Sequence, residues 1–227
     1  MIQIQNVERN YKSGESVVRA LRGVSLDIAD GDFLSIAGPS GSGKTTLLNL
    51  IGCIDALDKG DIIINNTAVT KMNKNEKTEF RRENLGFIFQ TYNLIPVLSA
   101  FENVSFVLSI LNIDNKEIER RTMKILKEVG LEGMEHRRPD KLSGGQQQRI
   151  AIARALIKEP SIVLADEPTA NLDSKTGEGI LKLMKEMNKK YNTTFIFSTH
   201  DNMVMDYASR LVSLHDGLIV SDERRDK

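Results

Sequence analysis

Gly38-Pro39-Ser40-Gly41-Ser42-Gly43-Lys44-Thr45 is the stretch from which the rest of this 227-residue chain is read. It fits G-x-x-x-x-G-K-[ST], a loop whose glycines let backbone N–H groups curl inward around an anion. Both flanks agree. Phe33-Leu34-Ser35-Ile36-Ala37, just before it, is continuously apolar, as a strand covered on both faces must be. Lys44 to Gly52, just after it, reads as a helix whose N-terminus adds the positive end of its dipole. A flexible glycine turn would need neither flank, and the pattern alone arises by chance in about one chain in a hundred. Lys44 is therefore expected to place its charge on the β- and γ-phosphates of a nucleotide, and the Thr45 hydroxyl to ligate Mg²⁺. Gly38, Ser40, Gly41, Ser42, Gly43 and Thr46 complete the candidate phosphate site.

Outward from this loop, upstream residues alternate. Ile2 and Ile4, then Val24, Leu26 and Ile28, are spaced by polar residues as in half-buried strands. Downstream, Ile62-Ile63-Ile64 followed by Asn65-Asn66 reads as a strand ending in a tight turn. From about Phe101 to Leu131 the period changes. Ile118, Thr122, Ile125, Leu126 and Val129 recur at helical spacing, and Glu117 stands four residues before Arg121. Ser161-Ile162-Val163-Leu164-Ala165 is a buried strand, Ile180, Leu183, Met184 and Met187 mark a helix, and residues 194–198 form another strand. Two strands flanking Asp216-Gly217 signal a hairpin. This alternation of strand and helix predicts an α/β fold with a mainly parallel sheet covered on both faces.

Two further constellations carry chemistry. Leu142-Ser143-Gly144-Gly145-Gln146 precedes a run of strong helix formers, with Ser143 placed as an N-cap and two glycines allowing close backbone approach. Taken alone it is an ordinary capped helix, yet it is also a second helix N-terminus suited to an anion. The strand ending at Ala165 runs into Asp166-Glu167. A buried acidic pair without a metal is costly, so Asp166 is expected to hold Mg²⁺ and Glu167 to polarise the attacking water.

Leu142 to Gln146 matches the LSGGQ signature that separates ABC ATPases from other phosphate-loop proteins, and Gln147-Gln148-Arg149 extends the match. The chain resembles that family from Tyr11 to His200. The resemblance implies the phosphate-loop ABC ATPase fold: a mainly parallel core sheet, an N-terminal antiparallel β subdomain and an inserted helical subdomain. The expected division is a core with its β subdomain over roughly 1–90 and 158–227, and the helical subdomain with the signature over roughly 91–157. It further implies that the signature, Ser143, Gly144, Gly145 and Gln146, caps ATP held by the phosphate loop of a second copy, in a two-fold sandwich. Gln90, after Leu85-Gly86-Phe87-Ile88-Phe89, matches the glutamine that approaches Mg²⁺ and water. His200 matches the switch histidine that reads the γ-phosphate, Tyr11 the aromatic that stacks on adenine, and Asp173 the end of the loop that crosses the dimer interface. Ala170 departs from the usual serine of that loop. His136 and His215 read as structural or solvated residues of surface loops.

Leu50-Ile51-Gly52-Cys53-Ile54-Asp55, Gln90 to Pro96 and Ala100-Phe101-Glu102-Asn103-Val104 look like the macrolide-export and lipoprotein-release group. Its permeases have few spans and a large extracytoplasmic domain, so the resemblance implies export or mechanotransmission, with Tyr92, Leu94, Ile95 and Leu98 forming the docking surface. Two alternatives remain open: a soluble ABC ATPase of DNA repair or translation, and an importer ATPase. The first usually needs a coiled-coil insertion or a tandem domain, and the second often carries a C-terminal regulatory domain.

Composition agrees with an enzyme acting through a partner. Lysine plus arginine and aspartate plus glutamate both number 31, giving zero formal net charge, whereas a general nucleic-acid binder needs a basic excess. The single cysteine, Cys53, excludes an intrachain disulfide, suits a reducing cytosol and reads as a small buried hydrophobe. No apolar run approaches the roughly 20 residues that cross a bilayer. The N-terminus lacks the apolar core of a signal peptide. The expected location is therefore the cytoplasmic face of a membrane, reached through a permease.

Overall fold

The computed structural model describes residues 1–14, 16–111 and 113–225. In chain order the first elements are β1 (Ile2–Ser13), β2 (Ser16–Ile28), β3 (Phe33–Ala37), α1 (Lys44–Ile51), β4 (Lys59–Ile64) and β5 (Thr67–Ala68). Next come α2 (Lys74–Asn84), β6 (Leu85–Ile88), α3 (Ala100–Ser109), α4 (Asn115–Glu128) and α5 (Gly144–Leu156). The last are β7 (Ile162–Asp166), α6 (Ser174–Tyr191), β8 (Thr194–Thr199), α7 (Asn202–Tyr207), β9 (Arg210–His215) and β10 (Leu218–Arg224). They form two compact units, Met1–Arg81 with Thr194–Lys227, and Arg82–Thr193.

The first unit holds two sheets. One is antiparallel, in the order β2-β1-β4-β5. Its inward face follows the alternation of the sequence: Ile2 pairs with Ile28 and Ile64, and Ile4 with Leu26 and Ile62, all of them buried. Beyond Ile4 the β1–β2 pairing shifts register three times, and Asn6 takes a left-handed φ of 48°. These bulges break the period of two, which is why the upper half of this long hairpin is not evident from apolar spacing. In the other sheet β3 pairs in parallel with β8 and β9, and β10 runs antiparallel to β9. Every residue of β3 and β8 is buried, and Phe33 stacks edge-on to Phe197 with ring centres 4.7 Å apart. At the β9–β10 turn Asp216 and Gly217 have φ of 48° and 77°, as a two-residue hairpin requires. His215, expected in a loop, instead ends β9, although its side chain is exposed.

In the second unit β6 and β7 pair in parallel, and α3, α4, α5 and α6 bury apolar faces that include Val104, Leu108, Ile125, Leu126, Ile150, Ile180 and Met184. Each of these four helices has a side-chain cap. Ser99 and Ser143 form reciprocal capping boxes with Glu102 and Gln146, while Asp114 and Asp173 accept from Lys116 N and Thr176 N. Glu117 reaches both Arg120 and Arg121 on α4, at 2.7 and 2.6 Å.

Candidate functional site

The phosphate loop leaves β3 and enters α1 with no side-chain cap, and its first turn holds no acidic residue. Gly43, the N-cap, has φ 105°, and a Cβ there would stand 2.4 Å from the Ala20 carbonyl, so glycine is required. The first amides of α1 have no carbonyl one turn earlier to bond. Lys44 Nζ folds back over the loop, donating to the carbonyls of Gly38 and Pro39 at 2.8 and 2.9 Å. It has no carboxylate partner among the described residues. Ser42 Oγ is buried without a hydrogen-bond partner in the protein, and its backbone carbonyl accepts from Gly217 N at 3.0 Å. An uncapped helix start, a cation held by neutral carbonyls and an orphaned hydroxyl together fit a phosphate. Ser40, Gly41 and Thr45 are exposed, and His200 follows directly on β8, also exposed.

The second unit gathers the other candidates. β7 ends at Asp166, and Glu167 then takes a left-handed φ of 46°, a conformation that costs a non-glycine residue about 1 kcal/mol or more. Ala170 N closes the turn on Glu167 O at 3.2 Å. Asn171 Nδ2 donates to Gln90 O at 2.8 Å, so the loop after Glu167 holds the segment that carries Gln90. Gln148, buried on α5, donates to Pro168 O at 2.8 Å. At the start of α5, Ser143 Oγ accepts from Gln146 N at 3.3 Å while Gln146 Oε1 accepts from Ser143 N at 2.9 Å. The Ser143 lone pair is thus engaged, whereas its hydroxyl proton goes to no described group of the chain, and the residue is exposed. Gly145 lies so close to α6 that a Cβ would stand 2.5 Å from Thr176 Cγ2.

Residues 21–170 match the ABC transporter family. The chain belongs to the ABC transporter family. An uncharacterised ABC transporter ATP-binding protein of Methanocaldococcus jannaschii, MJ0796, is 45% identical over 228 residues, covering 99% of this chain and 97% of its own. The macrolide export ATP-binding/permease protein MacB of Escherichia coli is 42% identical over 222 residues, 98% of this chain but 34% of that longer protein. Among solved structures, the dimeric post-hydrolysis state of the MJ0796 cassette bound to ADP and Pi superposes with a TM-score of 0.91 at 43% identity, covering each chain fully. This chain is an ABC-type ATP hydrolase with the cassette fold.

Within the cassette, two expected nucleotide residues have intrachain partners. Tyr11 donates its hydroxyl to Asp55 Oδ2 at 2.6 Å, and the Arg9 guanidinium lies 4.7 Å above its ring. The Asp173 carboxylate caps α6, and the hydrogen bonds from Thr176 lower its pKa. The residues expected to hold Mg²⁺, Thr45 in the first unit and Gln90 and Asp166 in the second, each offer a hard oxygen of the kind that suits that ion. Among the described residues no group of three His, Cys, Asp or Glu is placed to hold a metal ion.

A second surface feature was not evident from the sequence. An open groove of about 240 Å³ in the second unit is lined by Phe87, Phe89, Val107, Arg154 and Lys158, with Asn93 at its edge. Phe87 and Phe89 stack at 5.9 Å. Arg154 donates to the carbonyls of Tyr92, at 2.6 Å, and Asn93, fixing two successive left-handed residues. Burial pulls the Lys158 ammonium down to about 8, against the opposing charge of Glu83. None of Tyr92, Leu94, Ile95 and Leu98, the surface expected from the sequence, lines this groove. A Cβ at Gly144 would come 3.0 Å from Tyr92 Oη, so that phenol lies against the start of α5, while Ile95 is exposed. Lining residues drawn from β6, α3 and α5 share no local sequence pattern. A cue was the pair of phenylalanines two apart, Phe87 in β6 and Phe89 just past its end.

Proposed function

We propose that the chain is one half of a two-fold ATP-driven motor for a membrane permease, working in export or mechanotransmission of a drug, peptide or lipoprotein. The observation that carries this reading is Ser143. Its hydroxyl proton, exposed at the start of α5, has no acceptor among the described residues, and the γ-phosphate of a nucleotide on a second copy is an acceptor of the right kind. The dimeric form of the MJ0796 cassette supports the same arrangement. In this scheme the phosphate loop and Lys44 grip the triphosphate, Tyr11 stacks on adenine, Glu167 polarises the attacking water, and His200 contacts the γ-phosphate. Asp173 lies in the loop that meets the second copy. Mg²⁺, held by Thr45, Asp166 and Gln90, would supply charge neutralisation at the β- and γ-phosphates. Closure follows because Ser143 of the second copy reaches the γ-phosphate only in the closed state, which gives ATP its differential affinity.

In this reading the docking surface is the stretch of Tyr92, Leu94, Ile95 and Leu98 in a helical subdomain of roughly 91–157, beside the groove of Phe87, Phe89, Val107, Arg154 and Lys158, whose Arg154 holds the Tyr92 carbonyl. No helix among the described residues is long and apolar enough to cross a membrane, so a permease would hold the cassette at the cytoplasmic face. The fusion of cassette and permease in MacB supports such a partner, and its macrolide export favours the exporter branch. Tagged Glu167→Gln, loaded with ATP and recovered from solubilised membranes, tests the proposal. It should hydrolyse ATP about a hundredfold more slowly or worse, and should bring down an integral membrane protein with a large extracytoplasmic domain. Recovery of soluble proteins or ribosomes alone would replace this reading with that of a soluble ABC ATPase.

A further inference from the structure

Gln148 occupies a position where packing alone disfavours it. It lies inside α5, is 0% exposed, and its Oε1 has no hydrogen-bond partner among the described residues. A buried amide with one end unsatisfied is worse for folding than an apolar side chain of the same shape. Its other end explains the residue. Nε2 donates to Pro168 O at 2.8 Å in a fully buried bond. Pro168 has no N–H, so its carbonyl is the one backbone group by which that residue can be tied. Its neighbour is Glu167, whose left-handed backbone needs support from its surroundings. Ala170 N to Glu167 O and Leu172 N to Thr169 O are internal to the loop, and Asn171 Nδ2 ties its far end to Gln90 O, three residues beyond Pro168. Gln148 supplies an anchor from outside, on the same helix that begins at Ser143.

We propose that Gln148 is a positioning residue for hydrolysis: its amide, bonded to the Pro168 carbonyl, sets the backbone from which Glu167 presents its carboxylate, and links that carboxylate to the signature helix. The inference rests on the reading of Glu167 as the residue that polarises water. Two substitutions separate positioning from packing. Gln148→Met keeps the length and volume, removes the orphaned oxygen and loses the bond to Pro168. It should melt within about 4 °C of the parent or higher, bind ATP with unchanged affinity, and lose about tenfold or more in kcat with little change in KM. Gln148→Glu cannot donate to Pro168 when ionised but can when protonated, and burial raises the pKa of such a carboxyl. Its kcat relative to the parent should therefore climb as pH falls from about 8 to about 6. The proposal is overturned if Gln148→Met keeps kcat within about twofold of the parent. It is equally overturned if the Gln148→Glu ratio is flat with pH, or if ATP affinity falls as far as kcat. Glu167→Gln is measured alongside. Normal hydrolysis there removes the assignment of Glu167, while the pH ratio still reports whether the Pro168 bond matters.

Discussion

A methyl group at Gly145 would stand 2.5 Å from Thr176 Cγ2, closer than any tolerable contact. Thr176 is β-branched and sits in the first turn of α6, so it cannot swing away freely. Gly145→Ala should therefore destabilise the chain by about 1–3 kcal/mol, measured by denaturant unfolding. Thr176→Ser removes the offending carbon and leaves the cap donated to Asp173 intact, so the double variant should recover most of that loss. A loss that persists in the double variant would mean that Gly145 is required for a reason other than α6. Ser143 and Gln146 satisfy each other at the same helix start, so the signature sequence first builds a rigid N-terminus. Whatever it contacts in a second copy then meets preorganised donors. At Glu167 the logic is similar, with a strained backbone held by anchors such as Gln148.

At the scale of elements, α5 and β6 with their groove show a charge kept against stability. Lys158 is held at about 8, below its ordinary value. The folded chain thus binds fewer protons than the unfolded chain between about 8 and about 10.4, and stability rises with pH across that window. Lys158→Met should flatten this rise, read as melting temperature against pH. An unchanged slope would remove Lys158 from its cause. Elements were legible from the sequence where the signal was local. The phosphate loop, the Asn65-Asn66 and Asp216-Gly217 turns, and the largely apolar β3, β7 and β8 declared themselves. Bulges hid the far half of the β1–β2 hairpin. α2 escaped because it buries one residue, Phe80, so no apolar stripe marks it. Its cap was nonetheless readable: Asn73 and Glu76 bond each other's backbone amides at its start. The groove was illegible because packing, rather than sequence spacing, brings its residues together.

For the whole molecule, the phosphate loop and the signature are two helix N-termini that differ in a telling way. α1 starts uncapped with a lysine over it, while α5 starts capped with a spare hydroxyl proton. In the proposed scheme the first holds a nucleotide and the second closes over one bound to another copy, so that two copies complete a site of which each offers both halves. Taken alone the signature residues read as an ordinary capped helix; their resemblance to the family's signature made the two-copy reading legible, whereas the partner membrane protein lies beyond any residue of this chain. Sedimentation of Glu167→Gln with saturating Mg·ATP or Mg·ADP tests the central claim most directly. A two-chain species with ATP that reverts to one chain with ADP, and is abolished by adding Ser143→Asp, is the predicted result. A Glu167→Gln chain that binds ATP yet sediments as one chain at every concentration would contradict it.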